Sequence, residues 1–235
     1  MPEKGAVSPR KDGSIHSGHR QRFRERFIKT GLDGFEDHEP LELLLYYAIP
    51  RQDVNPLAHN LIDRFGSFHN VLEAPIEELK RVEGIGENTA VLINLVLALG
   101  RKYEISRIKD VKIIDSTEKA GKYLIPFFRA MRDEVVYMIC LDSKYKVLNC
   151  KMLFEGTVNS ANINIRKIVE NAIAFNAVSV MLAHNHLSGI KNPSKQDIES
   201  TRQISQALDA IDIKLTDHII ITGEDYVSMA DMGLI

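Results

Sequence analysis

Val178-Ser179-Val180-Met181-Leu182-Ala183-His184-Asn185-His186-Leu187-Ser188-Gly189, continued by Pro193-Ser194-Lys195-Gln196-Asp197, is the stretch around which the chain is organised. Its first six residues are mostly apolar and β-branched, the pattern of a buried strand. Side chains alternate along a strand, so His184 and His186 share one side and Asn185 faces the other. Both imidazoles can therefore reach one metal ion, with Ser194 and Asp197 close behind them in the chain. Each half also has a structural reading. A His-x-His on a strand can be a satisfied core pair, and Ser194-x-x-Asp197 is a helix-capping arrangement. Their conjunction at this spacing points to a metal.

Bulk properties set the frame. With 235 residues the chain has room for one large or two modest domains, and its 44% apolar and 26% charged residues are those of an ordinary globular protein. A formal net charge of -2 gives no general bias toward nucleic acid or anionic membrane, so nucleic-acid binding requires a local patch. No apolar run is long enough to span a bilayer, and the N-terminus lacks the apolar core of a signal peptide. Cys140 and Cys150 do not form a Cys-x-x-Cys pair, which suits two core or near-core thiols in a reducing cytoplasm.

Outward from the histidines, the pattern predicts two domains. Residues 1–17 read as a mobile tail without apolar period. An all-helical domain follows over 18–103. It opens on a basic helix with Phe23 and Phe27 four residues apart and Arg22, Arg24 and Arg26 on its other faces, either a solvated charged surface or a nucleic-acid contact. Helices then follow from Pro40, from Asp53-Val54-Asn55-Pro56 to a stop at Gly66, and from Pro75 to Leu79. Val82-Glu83-Gly84-Ile85-Gly86-Glu87 leads into an apolar helix over Val91–Leu99, and this part resembles the helix-hairpin-helix of DNA-binding proteins. Gly84 and Gly86 permit the tight turn, and backbone N–H groups at the start of the second helix could face a phosphate. The same turn serves as a plain helical connection, and Glu83 and Glu87 would repel an anion. Residues 104–113 form the expected linker.

Residues 114–235 are the second domain. Ser116 caps a helix running toward Phe128. Strands are predicted over Glu134–Leu141 and Lys146–Phe154, a helix over Ile165–Phe175 with Ile168, Val169, Ala172 and Ile173 inward, and then the strand ending in the histidines. A helix over Ser194–Leu208 and two short strands, 213–215 and 218–221, complete it. Elements mixed in this order imply an α/β sandwich, or α+β domain, with a partly antiparallel mixed sheet.

Gly156-Thr157-Val158-Asn159-Ser160, His184-Asn185-His186-Leu187-Ser188-Gly189, Pro193-Ser194-x-x-Asp197 and Asp217-His218-Ile219-Ile220 together resemble the RadC family. The resemblance covers nearly all of the chain after the tail. RadC proteins belong to the JAMM, or MPN+, class of zinc metallopeptidases, whose three-layer, cytidine-deaminase-like domain carries an upstream Glu, His-x-His and Ser-x-x-Asp. The chain departs from the family pattern at Leu187, where a proline is usual, and at Asn164-Ile165-Arg166, where a His-Pro-Arg run is usual; neither removes a residue of the metal motif.

The resemblance implies one zinc ion per chain, held by His184, His186 and Asp197, with a fourth position for water. It implies Glu134, at the head of the first strand, as general base and then acid, and Ser194 as a hydrogen-bond donor to the water or the developing oxyanion. The activity implied is hydrolysis of a peptide or isopeptide bond. Asp217 and His218 could orient a ligand from behind or form a structural pair. Other zinc chemistries lack their residues: there is no His-x-Glu with Pro-Cys-x-x-Cys, no His-Glu-x-x-His, and no acidic cluster between Leu187 and Gln196. A DNA-binding accessory protein of repair or recombination, with a structural metal domain, is the alternative, as is a metal centre acting on another amide or a phosphodiester.

Overall fold

The computed structural model describes residues 14–108, 113–156 and 165–235. Two compact units divide the chain, one ending at Leu99 and the other covering Gly100–Ile235. The first is helical: α1 (Ser14–Thr30), α2 (His38–Ala48), α3 (Asn55–Phe65), α4 (Phe68–Glu73), α5 (Ile76–Leu79) and the larger part of α6 (Glu87–Ile108). Its core gathers Leu41, Leu45, Leu61, Val71, Leu79 and Ile93. Proline in the first turn starts α3, and Gly66 at φ 87° ends it in the left-handed conformation that disfavours a Cβ. Ser67 caps α4 by accepting from the Asn70 N–H.

The second unit holds α7 (Thr117–Phe128), β1 (Val135–Leu141), β2 (Val147–Glu155), α8 (Ile165–Ala174), β3 (Ser179–Asn185), α9 (Lys195–Asp209), β4 (Lys214–Thr222) and β5 (Asp225–Ser228). The five strands make one mixed sheet in the order β2-β1-β3-β4-β5. Neighbours are antiparallel except β3 and β4, which run parallel and are joined by the crossover helix α9.

Strand alternation sorts the sheet into two cores. Val135, Tyr137, Ile139 and Leu141 of β1, with Met181 and Ala183 of β3, pack against α7. Met138 and Cys140, with Val180 and Leu182, pack against α8 and α9. The result is three layers, with β1 and β3 buried along their whole length.

Several expectations are corrected. Of the tail predicted over 1–17, residues 1–13 lie outside the described residues, while Ser14–Ser17 belong to α1. The helix predicted over 91–99 runs from Glu87 to Ile108, so part of the predicted linker is helical; residues 109–112 lie outside the described residues. The strands predicted at 213–215 and 218–221 are one strand, β4. A register shift opposite Val180 and Met181 leaves Thr216 out of the pairing, and its hydroxyl donates to the Val180 carbonyl at 3.1 Å. α4 and β5 were not predicted, and Ile173 is exposed rather than inward. Thr157–Ser160 and Asn164 lie outside the described residues.

Gly121 on α7 lies where an added Cβ would come within 2.3 Å of the Tyr226 ring on β5. Overpacking typically costs about 1–3 kcal/mol, more than the ~1 kcal/mol alanine gains over glycine within a helix. Gly121→Ala is therefore expected to lower the urea-denaturation midpoint of the full chain.

Candidate metal centre

The register of β1 and β3 assembles the centre. Val136 lies opposite His184 in the antiparallel pairing. Glu134 is two residues before Val136, and His186 is two residues after His184, so both lie toward the same end of the strand pair. Even-numbered positions on both strands face α9, so Glu134 has the parity of the histidines. Its carbonyl accepts from the Gly156 N–H at 3.0 Å, which continues the β1–β2 ladder past the end of β1.

Asn185 faces the other way and fixes the segment that carries Glu134. Its Oδ1 accepts from the Val135 N–H at 2.7 Å, and its Nδ2 donates to the Asp133 carbonyl at 3.1 Å. One buried amide thus holds the backbone on both sides of Glu134 to the strand that carries the histidines.

Asp197 comes from the first turn of α9. Ser194 Oγ accepts from the Asp197 N–H at 3.1 Å, and Asp197 Oδ2 accepts from the Ser194 N–H at 2.7 Å, a complete capping box. The capping reading and the ligand reading thus both hold. The cap also fixes the carboxylate, whose Oδ1 is 3.4 Å from His184 Nε2 and whose Oδ2 is 3.4 Å from His186 Nε2.

His184, His186 and Asp197 are the one group of three or more potential ligands found among the described residues, with one atom from each all lying within 4.8 Å of one another. The two Nε2 atoms are 2.9 Å apart. His186 Nδ1 is 2.7 Å from the Ile190 carbonyl, which can only accept, so Nδ1 carries a hydrogen and Nε2 is the ring nitrogen turned inward. Burial pushes His184 down to about 4; His186 adds to this and the Asp197 carboxylate opposes it. Burial tends to raise the Asp197 carboxyl, but its hydrogen bond to the Ser194 side chain and the two histidines outweigh that and hold it low. Neutral imidazole and ionised carboxylate are the forms a divalent cation takes, so the donor set fits a zinc ion of three-ligand type.

Glu134, Ser194 and the three ligand candidates line one cavity of about 430 Å³. Leu187 lies just beyond His186 and is exposed. Behind the site, His218 on β4 meets His184 and Thr201, whereas Asp217 accepts from Ser228 Oγ and the Ala230 N–H. Of the expected pair, Asp217 is bound into structure and only His218 touches a ligand candidate. Burial holds His218 far below the ordinary histidine range. Thr201 and the bridge made by Asn185 were not foreseen. Thr201 was accessible by helical spacing, since it lies one turn after Asp197 on the same face.

The residues expected to meet nucleic acid lie on α1 and in the turn before α6. Arg22 and Arg24 are exposed on α1. Arg26 forks onto Glu39 at 2.8 and 3.1 Å and lies over the Phe35 ring. Gly84, at φ 90°, and Gly86 lie in the turn between α5 and α6. Glu87 occupies the first turn of α6, where its charge already complements the helix dipole. Cys140 is buried and Cys150 half-buried, both unpaired, and burial raises the thiols to about 11 and about 12. No described helix is long and apolar enough to cross a membrane.

Comparison with known proteins finds a RadC-like JAB domain over residues 114–234 and a UPF0758 N-terminal domain over residues 16–91. A UPF0758 protein of Fusobacterium nucleatum is 37% identical, covering 94% of this chain and 98% of its own. Similar UPF0758 proteins occur in Pseudoalteromonas translucida, at 37% identity over 92% of this chain and 96% of that one, and in Ruegeria pomeroyi, at 36% over 86% and 91%.

Removing the Asn185 amide strands the Val135 N–H and the Asp133 carbonyl. Asn185→Ala is expected to cost about 1–3 kcal/mol in denaturant unfolding, and to speed hydrogen exchange at the Val135 amide more than at the centre of β1.

Proposed function

The chain belongs to the RadC-like JAB domain family, and on that footing we propose that it is a metal-dependent hydrolase that cleaves a peptide or isopeptide bond. The observation that carries this reading is the convergence of three donors, His184, His186 and Asp197, in a cavity that Glu134 also lines. His184, His186 and Asp197 would hold a zinc ion, which when bound supplies a Lewis acid and makes water a competent nucleophile near neutral pH.

The chain's own residues do the rest. Glu134, held in place by the backbone contacts of Asn185, takes the proton from the attacking water and returns it to the leaving nitrogen. Ser194 lines the cavity and donates its hydroxyl to the oxygen on which negative charge develops. The α9 cap holds the Asp197 carboxylate in place and, with the two histidines, keeps its pKa low.

Elemental analysis of the purified full chain after zinc loading and desalting is expected to find about one equivalent, by the three-ligand stoichiometry of catalytic zinc sites. His184→Ala should lose it. On a panel of fluorogenic peptide and isopeptide substrates, Glu134→Gln is expected to keep the metal while its turnover falls by about 10²–10⁴-fold. A metal-free wild type, or undiminished turnover in Glu134→Gln, would refute the reading.

A further inference from the structure

Behind the ligand candidates lies a run of hydrogen bonds that the hydrolytic reading does not use. His184 Nδ1 is 2.9 Å from His218 Nε2, His218 Nδ1 is 2.6 Å from Thr201 Oγ1, and Thr201 Oγ1 is 2.6 Å from the backbone carbonyl of Asp197. His184, His218 and Thr201 are all buried, so water does not offer alternative partners. Each link taken alone is ambiguous, because an imidazole nitrogen can donate or accept and a hydroxyl can do both.

The last link removes the ambiguity. A backbone carbonyl can only accept, so the single Thr201 hydroxyl hydrogen points at Asp197; the Met229 sulfur at 3.7 Å is the weaker alternative. With its hydrogen spent, Thr201 Oγ1 must accept from His218 Nδ1–H. A neutral His218 then presents a lone pair at Nε2, which must accept from His184 Nδ1–H. His184 is left with a lone pair at Nε2, the atom that faces His186 and Asp197.

We propose that His218 and Thr201 are positioning residues that lock His184 as its Nδ1–H tautomer through a hydrogen-bond relay anchored on the Asp197 carbonyl, and so hold His184 Nε2 ready to bind a cation. The proposal rests on the metal-site reading for its purpose, while the direction of the relay is a property of the protein alone. The relay also joins two ligand candidates: it starts at the His184 ring and ends on the backbone of Asp197, so a shift of α9 against β4 would disturb both. His186 has no such relay; its tautomer is set directly by the Ile190 carbonyl at 2.7 Å.

Two measurements on the full chain test this. In the metal-free state, long-range ¹H–¹⁵N correlations of the histidine side chains report which nitrogen of His184 carries the proton. Zinc affinity is then measured by competition with a chromophoric chelator. His218→Leu leaves the His184 Nδ1–H without a partner, and Thr201→Val frees His218 to place its own proton on Nε2, against His184. His218→Gln restores both functions, since its amide oxygen can accept from His184 and its NH₂ can donate to Thr201.

The wild type is expected to have His184 as Nδ1–H. His218→Leu and Thr201→Val should shift it toward Nε2–H and weaken zinc binding by about 10- to 100-fold, the usual effect of losing a partner behind a metal ligand. His218→Gln should recover the wild-type tautomer and most of the affinity. Should His218→Leu fail to fold, as judged by circular dichroism, Thr201→Val carries the test. A wild-type His184 protonated at Nε2, or folded His218→Leu or Thr201→Val proteins that keep both Nδ1–H and full zinc affinity, overturns the relay. If the wild type binds no zinc, the metal-site reading falls alone. The nitrogen spectra then decide the relay, with Nδ1–H supporting it and Nε2–H overturning it.

Discussion

The antiparallel pairing of β1 with β3 is the interaction on which the candidate site depends. It places Val136 opposite His184 and carries Glu134 to the end of the sheet where His186 lies. A slip of one residue would turn Glu134 to the α7 face and separate it from both histidines. Both strands are apolar and buried on both faces, so what opposes such a slip is the close packing of two different cores rather than a polar–apolar alternation. Asn185 adds a polar lock at the end of the pair where hydrophobic pairing stops, by satisfying the Val135 N–H and the Asp133 carbonyl. The residue between the histidines thus serves the carboxylate across from them.

Asp197 shows a second economy. A capping box ordinarily serves only to satisfy a helix N-terminus. Here the capping carboxylate also faces two imidazoles, and the N-terminal end of α9 favours its negative charge. The same hydrogen bonds that start the helix orient the carboxylate, so its position is fixed by secondary structure rather than by a flexible loop. Ser194 is bound into this arrangement through its Oγ, its N–H and its place in the cavity wall.

Much of this was legible in the sequence. Apolar runs and caps gave the helical unit, the β1–β2 hairpin, β3 and α9, because burial and capping act over a few neighbouring residues and leave local signals. The His-x-His and Ser-x-x-Asp spacings marked the ligand candidates for the same reason. Glu134 required the family resemblance, since an acidic residue at a strand start carries no signal of its own. β4 was read as two strands because Thr216 breaks the alternation, and only the pairing with Val180 shows it to be a bulge within one strand. β5 is four residues long and acquires its meaning from β4 beside it. Arg26 looked like its neighbours on α1 until Glu39, thirteen residues on, claimed it. What the sequence withheld was in each case set by a partner distant along the chain.

On the proposed reading, the charge arrangement at the centre favours a cation over a hydrogen-bonded core. A satisfied core triad would place a proton between each pair of facing heteroatoms. Here the Ile190 carbonyl takes the proton of His186 to the outer side of the ring, and burial keeps both His184 and His218 neutral. With the proposed His184 tautomer and a neutral His186, the atoms that converge on the centre are acceptors, two nitrogens 2.9 Å apart beside a carboxylate whose pKa is held low. A folded protein tolerates that cost of a few buried, like-facing lone pairs where the surrounding structure over-determines it. The sheet register, the α9 cap and the hydrogen bonds behind His184 and His186 are what over-determine it here.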